Sequence, residues 1–471
     1  MVRAAVFATP PTPRADRWGT SPERQTASPA SRRADEDALR MYIQILAEGR
    51  LPGNRAIIAA LKAGGPAAAG AVHGNVIKMG SCADRFVASA LLQCYSAGGR
   101  VASAWKVFAS VSEKDAALRT AMLVACADNG DLTSARALFN EIPGRDVVAW
   151  NAMLSAYSHS ELPERALELF EEMQLSGTRP NEITLVIALS ACSQLSSLAL
   201  GKWIHLYVDR ASDINLTPTL VNSLVSMYAK CGSLRAAVEV FLEKHPRNLE
   251  TWNAMLSGFA AYGCGGGALS LFSQMIKTAV APDRITFLSL LTAFARAGMI
   301  ADALTCFRCM RRNFGVVPRR EHYGCLVDAL ARGGHLQEAY ALVEGSPFEP
   351  DGAAWGALLA GCCVHGDAEI GRTAAELLLQ LEPGEGGRHI ALSNLHGMTG
   401  NSVDMVRLKQ ETVGQGIHLP SGSSSIEVNG VVHEFTAGDR SHTQSEQIYL
   451  MIAMISSNLR CTQESARNSP S

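Results

Sequence analysis

The chain has 471 residues, of which 47% are hydrophobic and 6% aromatic, and its charged side chains nearly balance to a formal net charge of −2. This length exceeds what one compact core usually holds, and no apolar run approaches the roughly 20 residues of a bilayer-spanning helix. A pI of about 6.6 argues against nucleic-acid binding unless the basic side chains are concentrated on one face.

The first 38 residues differ in composition from the rest of the chain. Up to residue 34, six arginines stand against only Asp16 and Glu23, among many Ala, Ser, Thr and Pro residues. This composition resembles an organellar transit peptide, and a disordered leader without a targeting role is the alternative. We predict a leader over 1–38 and favour a mitochondrial over a chloroplast destination because of its arginines. The twelve scattered cysteines favour a reducing compartment over a disulfide framework.

A long internal repeat follows. Trp150-Asn-Ala-Met-Leu-Ser returns as Trp252-Asn-Ala-Met-Leu-Ser, 102 positions later. Three more residues recur at the same offset: Phe170 as Phe272, Met173 as Met275, and Pro180 as Pro282. Self-similarity of this kind is typical of stacked supersecondary units.

Each unit reads as a helical hairpin. In residues 147–181, Trp150 opens an apolar first helix, Pro163 stands near the start of a second, and Gly177 follows its end. The same pattern divides the chain into units of 31, 35 and 36 residues, at 85–115, 116–146, 147–181, 182–217, 218–248, 249–283 and 284–319. Shorter units are predicted at 54–84 and about 320–350. We therefore predict an all-α solenoid over 39–350.

These residues carry a family resemblance. The alternation of unit lengths, with the strings Met227-Tyr-Ala-Lys-Cys-Gly-Ser-Leu and Glu141-Ile-Pro-Gly-Arg-Asp, resembles the PLS subclass of pentatricopeptide repeat proteins of plant organelles. Ile426-Glu-Val-Asn-Gly-Val-Val-His-Glu-Phe is similar to the E and E-plus extensions of that subclass. The resemblance implies a right-handed superhelix, an E extension over 351–418, an E-plus extension over 419–460 and a disordered tail over 461–471.

The resemblance also implies RNA reading at one base per unit. The fifth and last residues of a unit would contact the Watson–Crick edge of a base, which gives the pairs Ser89/Asp115, Thr120/Asp146, Asn151/Asn181, Asn222/Asn248 and Asn253/Asp283. The family code assigns a purine, foremost G, to the first two pairs, a pyrimidine to the Asn/Asn pairs and U to the last. Val186 and Leu288 at the fifth position predict little reading by the 36-residue units. A purely structural role is the alternative, because an Asn at a helix start satisfies backbone donors.

Two strings superficially resemble the zinc motifs of a cytidine deaminase. His159-Ser-Glu161 falls in a predicted inter-helix turn, and Cys306-Phe-Arg-Cys309 falls within a predicted second helix with Thr305 where Pro is expected. Gly263-Cys-Gly-Gly-Gly is interpreted as a turn rather than a phosphate loop, and His73 and His205 as packing or capping residues rather than ligands. We predict no catalytic residue, no metal and no cofactor, and the DYW deaminase domain of many relatives is not found.

Beyond the repeats, Trp355 opens another predicted hairpin, Ile426–Phe435 alternates as a β-hairpin around Asn429-Gly430, and Gln444–Leu459 predicts a helix. The resemblance implies that this region recruits a deaminase from another chain, and capping of the solenoid is the alternative. Ser425 departs from the Trp that is usual in the family. The predicted function is a non-catalytic, single-stranded-RNA-binding factor for organellar cytidine-to-uridine editing. An RNA-processing, stability or splicing factor and a protein-binding scaffold remain alternatives.

Overall fold

The structure is a computed structural model, and it describes residues 29–80, 84–160, 162–211, 214–243, 247–349, 351–381, 423–428, 431–436 and 440–455. Helices occupy most of the described residues between 29 and 381. None of the helices in these ranges combines the length and apolar composition that crossing a bilayer requires.

Within the described residues, nine helical hairpins follow two longer N-terminal helices, α1 (Pro29–Ala47) and α2 (Asn54–Lys78). The first helices of the hairpins are α3 (Arg85–Ala97), α5 (Ala116–Asp128), α7 (Val147–His159), α9 (Glu182–Leu195), α11 (Pro218–Lys230), α13 (Leu249–Ala261), α15 (Arg284–Ala297), α17 (Arg320–Arg332) and α19 (Gly352–His365). The second helices are α4 (Val101–Ser110), α6 (Leu132–Glu141), α8 (Pro163–Leu175), α10 (Leu198–Arg210), α12 (Leu234–Leu242), α14 (Gly265–Lys277), α16 (Ile300–Arg312), α18 (Leu336–Glu344) and α20 (Ala368–Leu381).

Local chemistry sets the hairpin boundaries. Asp or Asn side chains cap the N-termini of most first helices, as Asp84 does for α3 and Asp351 for α19. Glycines in the left-handed region, such as Gly130 and Gly232, form many of the turns into the second helices. Pro163 occupies the first turn of α8, where no backbone N–H is required. These signals confirm the hairpin reading of the repeats.

The first helices form one continuous layer. Each packs on the first helix of the next unit from α3 to α19, whereas neighbouring second helices hardly touch within the described ranges. The hydrophobic core is correspondingly continuous from Tyr42 to Leu378. The layer of closely packed first helices forms the tighter side of the stack, and each unit buries its apolar faces only against its neighbours.

The repeated tryptophans are core residues. Trp150 packs edge-to-face on Phe139 at a ring-centroid distance of 4.9 Å, and Arg145 lies over both rings. The Arg145 guanidinium also donates to the carbonyl of Phe139, which belongs to the last turn of α6. Trp252, Phe241 and Arg247 repeat the arrangement one hundred and two positions later, with the rings 5.1 Å apart. The two tryptophans are therefore packing residues of the core.

Helix α2 divides into two helical stretches at Gly65, whose φ of +52° and ψ of −147° are not helical, and Pro66 opens the second stretch. One local prediction needs correction. The glycine-rich string after Gly263 is a turn only in part, because α14 begins at Gly265. A β-carbon on Gly265 would lie 2.4 Å from the Met299 sulfur, so the glycine allows close packing of α14 on the following unit.

The C-terminal region adds one more helical hairpin to the stack and then contains a β-hairpin. Helices α19 and α20 pack against α17 and α18 in the manner of another repeat, with α19 opening near Trp355. The second half of the predicted E extension lies outside the described residues. Strand β1 (Ser423–Val428) pairs antiparallel with β2 (Val431–Thr436), and Val428 lies opposite Val431. Residues 445–455 are helical. The predicted leader boundary after residue 38 falls within α1.

Candidate nucleic-acid interface

The last residue of each predicted pair caps a helix. One side-chain oxygen accepts a hydrogen bond from the backbone N–H three residues later, at 2.8 to 3.0 Å, in all five cases: Asp115, Asp146, Asn181, Asn248 and Asp283. Each therefore has the structural role that is the alternative to base reading. The cap uses only one of the two polar atoms of the side chain, so a second oxygen or the amide nitrogen remains for another partner.

The fifth residues lie in the second turn of the first helices, and two of them contact their predicted partners. The Asn151 amide donates to Asn181 Oδ1 at 3.0 Å, and the Asn253 amide donates to Asp283 Oδ1 at the same distance. The two members of each pair are thirty positions apart in one unit, and the last residue caps the first helix of the next unit. The stack thus joins them into one polar site at the junction of two first helices.

A threonine completes both of these sites. Thr184 donates its hydroxyl to Asn151 Oδ1 at 2.6 Å, and Thr286 donates to Asn253 Oδ1 at 2.7 Å. Because the amide oxygen accepts from the hydroxyl, the amide nitrogen must face the capping residue, and the orientation of the asparagine is fixed. Sequence reasoning missed these threonines, although each is the third residue of a 36-residue unit and forms a capping box.

The other three pairs are not joined in this way. Thr120 donates to the carbonyl of Ala116 within its own helix. The Asp115 carboxylate accepts a hydrogen bond from the Arg85 guanidinium at 3.2 Å, and Ser89 is half-buried. Asn222 lies near Glu250 rather than bonding to Asn248.

Exposure differs between the two members of a pair. Asn181 and Asn248 are exposed and Asp283 is half-buried. Asn253 is only 7% exposed, because the Thr286 hydroxyl and the neighbouring helix enclose it. The outer part of each site is therefore the capping residue, with the asparagine recessed behind it.

An exposed apolar row flanks the polar sites. The second residue of several units is a large hydrophobic side chain more than half exposed: Phe86, Val148, Ile183 and Ile285. The shared second position within the unit is the sequence signal that marks this row, and it was not used in the sequence analysis. Exposed apolar side chains at a regular spacing beside polar pairs suit flat ligands that present both a face and a hydrogen-bonding edge.

The deaminase-like strings are not assembled into a metal site. His159 ends α7 and bonds to Ser155, while Glu161 lies outside the described residues. Cys306 is fully buried on α16, and burial raises the pKa of its thiol well above the usual value. In the described part of the chain, no group of three or more His, Cys, Asp or Glu side chains is placed to hold a metal ion.

The two repeated histidines have packing partners. His73 Nδ1 lies 2.8 Å from the Tyr95 hydroxyl, and His205 Nδ1 lies 2.9 Å from that of Tyr228. Each pair links one unit to the next along the stack. Both histidines thus have the packing role that was one of the two predicted for them.

Replacing Thr286 with valine tests how much the threonine contributes. Thr286→Val keeps the side-chain shape but leaves the buried Asn253 oxygen without its donor, which we expect to lower the free energy of unfolding by about 1–3 kcal/mol. Urea denaturation followed by circular dichroism measures the change. Thr305→Val is the matched control, since the exposed Thr305 hydroxyl bonds only within its own helix. An equal loss in both variants would contradict the role given to Thr286.

Comparison with known proteins identifies the repeats. A model of the PPR repeat family matches residues 145–194 and 247–296, and a PPR repeat model matches residues 119–147, 219–244 and 285–313. Among solved structures, PPR10 in complex with an 18-nt psaJ RNA element is similar, with a TM-score of 0.68, 18% identity and coverage of 81% of this chain and 58% of PPR10. At this identity the likeness shows the fold.

Curated relatives from Arabidopsis thaliana extend the match. The chain is 38% identical to the chloroplastic pentatricopeptide repeat-containing protein ELI1 over 90% of its own length and 67% of ELI1. It is 43% identical to the mitochondrial protein At2g22410 over 63% of its length and 43% of that protein. It is 35% identical to the chloroplastic protein At5g59200 over 90% of its length and 78% of that protein. It thus spans between about two fifths and four fifths of these relatives, and the shared repeats show that the chain belongs to the pentatricopeptide repeat family.

Proposed function

We propose that this chain is a sequence-specific, single-stranded-RNA-binding protein of a plant organelle. It specifies cytidine-to-uridine editing and works with a deaminase supplied by another chain. We assign it to the PLS subclass with E and E-plus extensions, on the basis of its 31-, 35- and 36-residue units and its C-terminal hairpin string. The observation that carries the proposal is the pair of matching polar sites, Asn151/Asn181 and Asn253/Asp283, at equivalent places in the stack.

The Asn253/Asp283 site suits uracil. Asp283 Oδ1 is occupied by the helix cap and by Asn253, whereas its Oδ2 has no hydrogen-bond partner among the described residues. This oxygen would accept the N3–H of uracil, and the second amide hydrogen of Asn253 would donate to a uracil carbonyl. Cytosine presents an unprotonated N3 at this edge, which would face the carboxylate without a proton between them.

The Asn151/Asn181 site suits cytosine. The Asn181 oxygen is occupied by the cap and by Asn151, so the exposed Asn181 amide nitrogen and the second Asn151 hydrogen are both donors. Cytosine offers two adjacent acceptors, N3 and O2, to such a pair, whereas uracil offers only one beside its N3–H. Both pairs thus follow the pyrimidine assignments of the family code.

The six units from residue 85 to 283 would read six consecutive bases, which we number 1 to 6 from the 5′ end. Ser89/Asp115 and Thr120/Asp146 are assigned guanine at bases 1 and 2, and base 4 lies opposite Val186 and is unspecified. The expected string is therefore G-G-pyrimidine-any-pyrimidine-U. With the units at 284–319 and 320–350 covering the next two bases, the edited cytidine would lie about six nucleotides beyond base 6.

The C-terminal region is the proposed recruiting surface. The β1–β2 hairpin and the helix at 445–455 follow the repeats, and the helix exposes several large apolar side chains, among them Leu450, Met451 and Met454. Organellar localisation is proposed from the relatives, which are described as chloroplastic or mitochondrial, and we favour the mitochondrion because of the arginine-rich leader.

Sequencing organellar transcripts from a plant that lacks this protein tests the proposal. We expect at least one cytidine preceded by the predicted string to lose editing, and restored expression to recover it. Unchanged editing with altered transcript ends or levels would favour an RNA-processing or stability factor instead. Unchanged editing and transcripts, together with no RNA binding by the purified chain, would favour a protein-binding scaffold.

A further inference from the structure

The second Asn/Asn pair does not repeat the geometry of the first. In the first site, Asn151 donates to Asn181 at 3.0 Å and accepts from Thr184 at 2.6 Å. The corresponding residues of the second site are chemically identical, namely Asn222, Asn248 and Thr251. The same three side chains would therefore be expected to close into the same site.

They do not close. Thr251 donates its hydroxyl to Asn248 at 2.8 Å and makes no hydrogen bond to Asn222. The Asn222 oxygen is buried without a hydrogen-bond partner in the described structure, and its amide nitrogen instead points to Glu250 Oε2 at 3.5 Å, the outer limit of a hydrogen bond. An unsatisfied buried oxygen costs free energy, so something must favour this orientation of the amide. The neighbouring carboxylate is the group that does so.

Glu250 occupies an unusual place for a charged residue. It is the exposed second residue of its unit, the position that carries the exposed Val148, Ile183 and Ile285 in other units. Those aliphatic side chains offer no hydrogen bond to the asparagine of the preceding unit. A carboxylate at this position accepts from the amide nitrogen and competes with the capping residue Asn248.

We propose that Glu250, rather than Asn248, is the partner of Asn222 in base reading, and that base 5 is therefore selected as uracil. At Asn253/Asp283 an asparagine amide likewise donates to a carboxylate. The Asn222/Glu250 pair would therefore present to the base the same carboxylate acceptor beside the same amide donor. The remaining carboxylate oxygen would accept the N3–H of uracil, and cytosine has no proton to donate there. The proposal rests on the RNA-binding function proposed above and narrows one of its pyrimidines to a single base.

Two conservative variants distinguish the role of Glu250 in base reading from that of Asn248. Glu250→Gln removes the charge at an exposed position, and Asn248→Asp keeps an equally good helix cap. Fluorescence anisotropy of the full chain would measure binding to two RNAs that carry U or C at base 5 and are otherwise identical. We expect the unmodified protein to favour U over C by about tenfold, the size of one mispaired buried hydrogen bond. Glu250→Gln should abolish that ratio, and Asn248→Asp should leave it unchanged.

Asn181→Asp is the matched control for Asn248→Asp, because Asn181 does contact its asparagine and the change there should move base 3 toward uracil. A preference for C at base 5 in the unmodified protein, or a shift to U caused by Asn248→Asp, would overturn the role of Glu250. Discrimination between U and C at base 6, measured on the same samples, distinguishes failure of the Glu250 inference from failure of the proposed function. If base 6 is discriminated but base 5 does not behave as expected, only the inference on Glu250 fails. If the protein binds no RNA, the proposed function fails as well.

Discussion

Exchanging the capping residues of two sites should exchange their base preferences. Asn181→Asp places an acceptor beside the Asn151 amide and should convert base 3 from cytosine to uracil, whereas Asp283→Asn should convert base 6 from uracil to cytosine. Each mismatch leaves one polar group unpaired, which corresponds to about 1–3 kcal/mol or roughly 5- to 150-fold in the dissociation constant. Binding to RNAs that vary only at base 3 or base 6 measures both changes.

Folding should be unaffected in this exchange. Asn and Asp are equally good N-caps, and the oxygen that accepts from Thr184 or Thr286 is present in both. The double variant carries the same net charge as the unmodified protein, so a general electrostatic effect on RNA affinity is controlled. A uniform change in affinity for every RNA, with no change in base preference, would show that the capping residues have only their structural role.

The second large effect concerns the repeated tryptophans. Trp252 is 1% exposed and packs on Phe241 beneath the Arg247 guanidinium, so Trp252→Ala should cost about 3–5 kcal/mol of unfolding free energy. Trp203 offers the matched control, because it is 42% exposed and stacks on Tyr207 at the surface, and Trp203→Ala should cost far less. Urea denaturation of the purified variants measures the difference.

Because each unit contacts only its neighbours, the loss at Trp252 should also be local. Hydrogen exchange should accelerate first in α12, α13 and α14, while the units around Trp150 keep their protection. Uniform acceleration along the whole stack would indicate a single cooperative core instead of a solenoid of nearest-neighbour units.

Much of the fold could be predicted because the signals that start and end each helix are local in the sequence. Pro163 at a helix start, Gly177 after a helix end and the spacing of Phe170 and Met173 act within one unit, so a single sequence displays them. Gly65 and Pro66 separate the two helical stretches of α2 in the same local way.

The candidate site was predictable only in part. The pair positions followed from the unit boundaries and the family resemblance, but whether two side chains meet depends on contacts across units. Asn151 and Asn222 look alike in the sequence, yet one bonds to its capping residue and the other points to Glu250. The threonines that fix the amides were overlooked because their hydroxyls act on a residue thirty-three positions earlier.

The most direct test of the central claim is the affinity of the purified chain for single-stranded RNAs that differ at one base, at a fixed salt concentration. Changing U to C at base 6, opposite Asn253/Asp283, should weaken binding by about tenfold. The same change at base 4, opposite Val186, should have no effect. Equal affinity for both RNAs at base 6, or equal sensitivity at bases 4 and 6, would contradict the reading of one base by each polar pair.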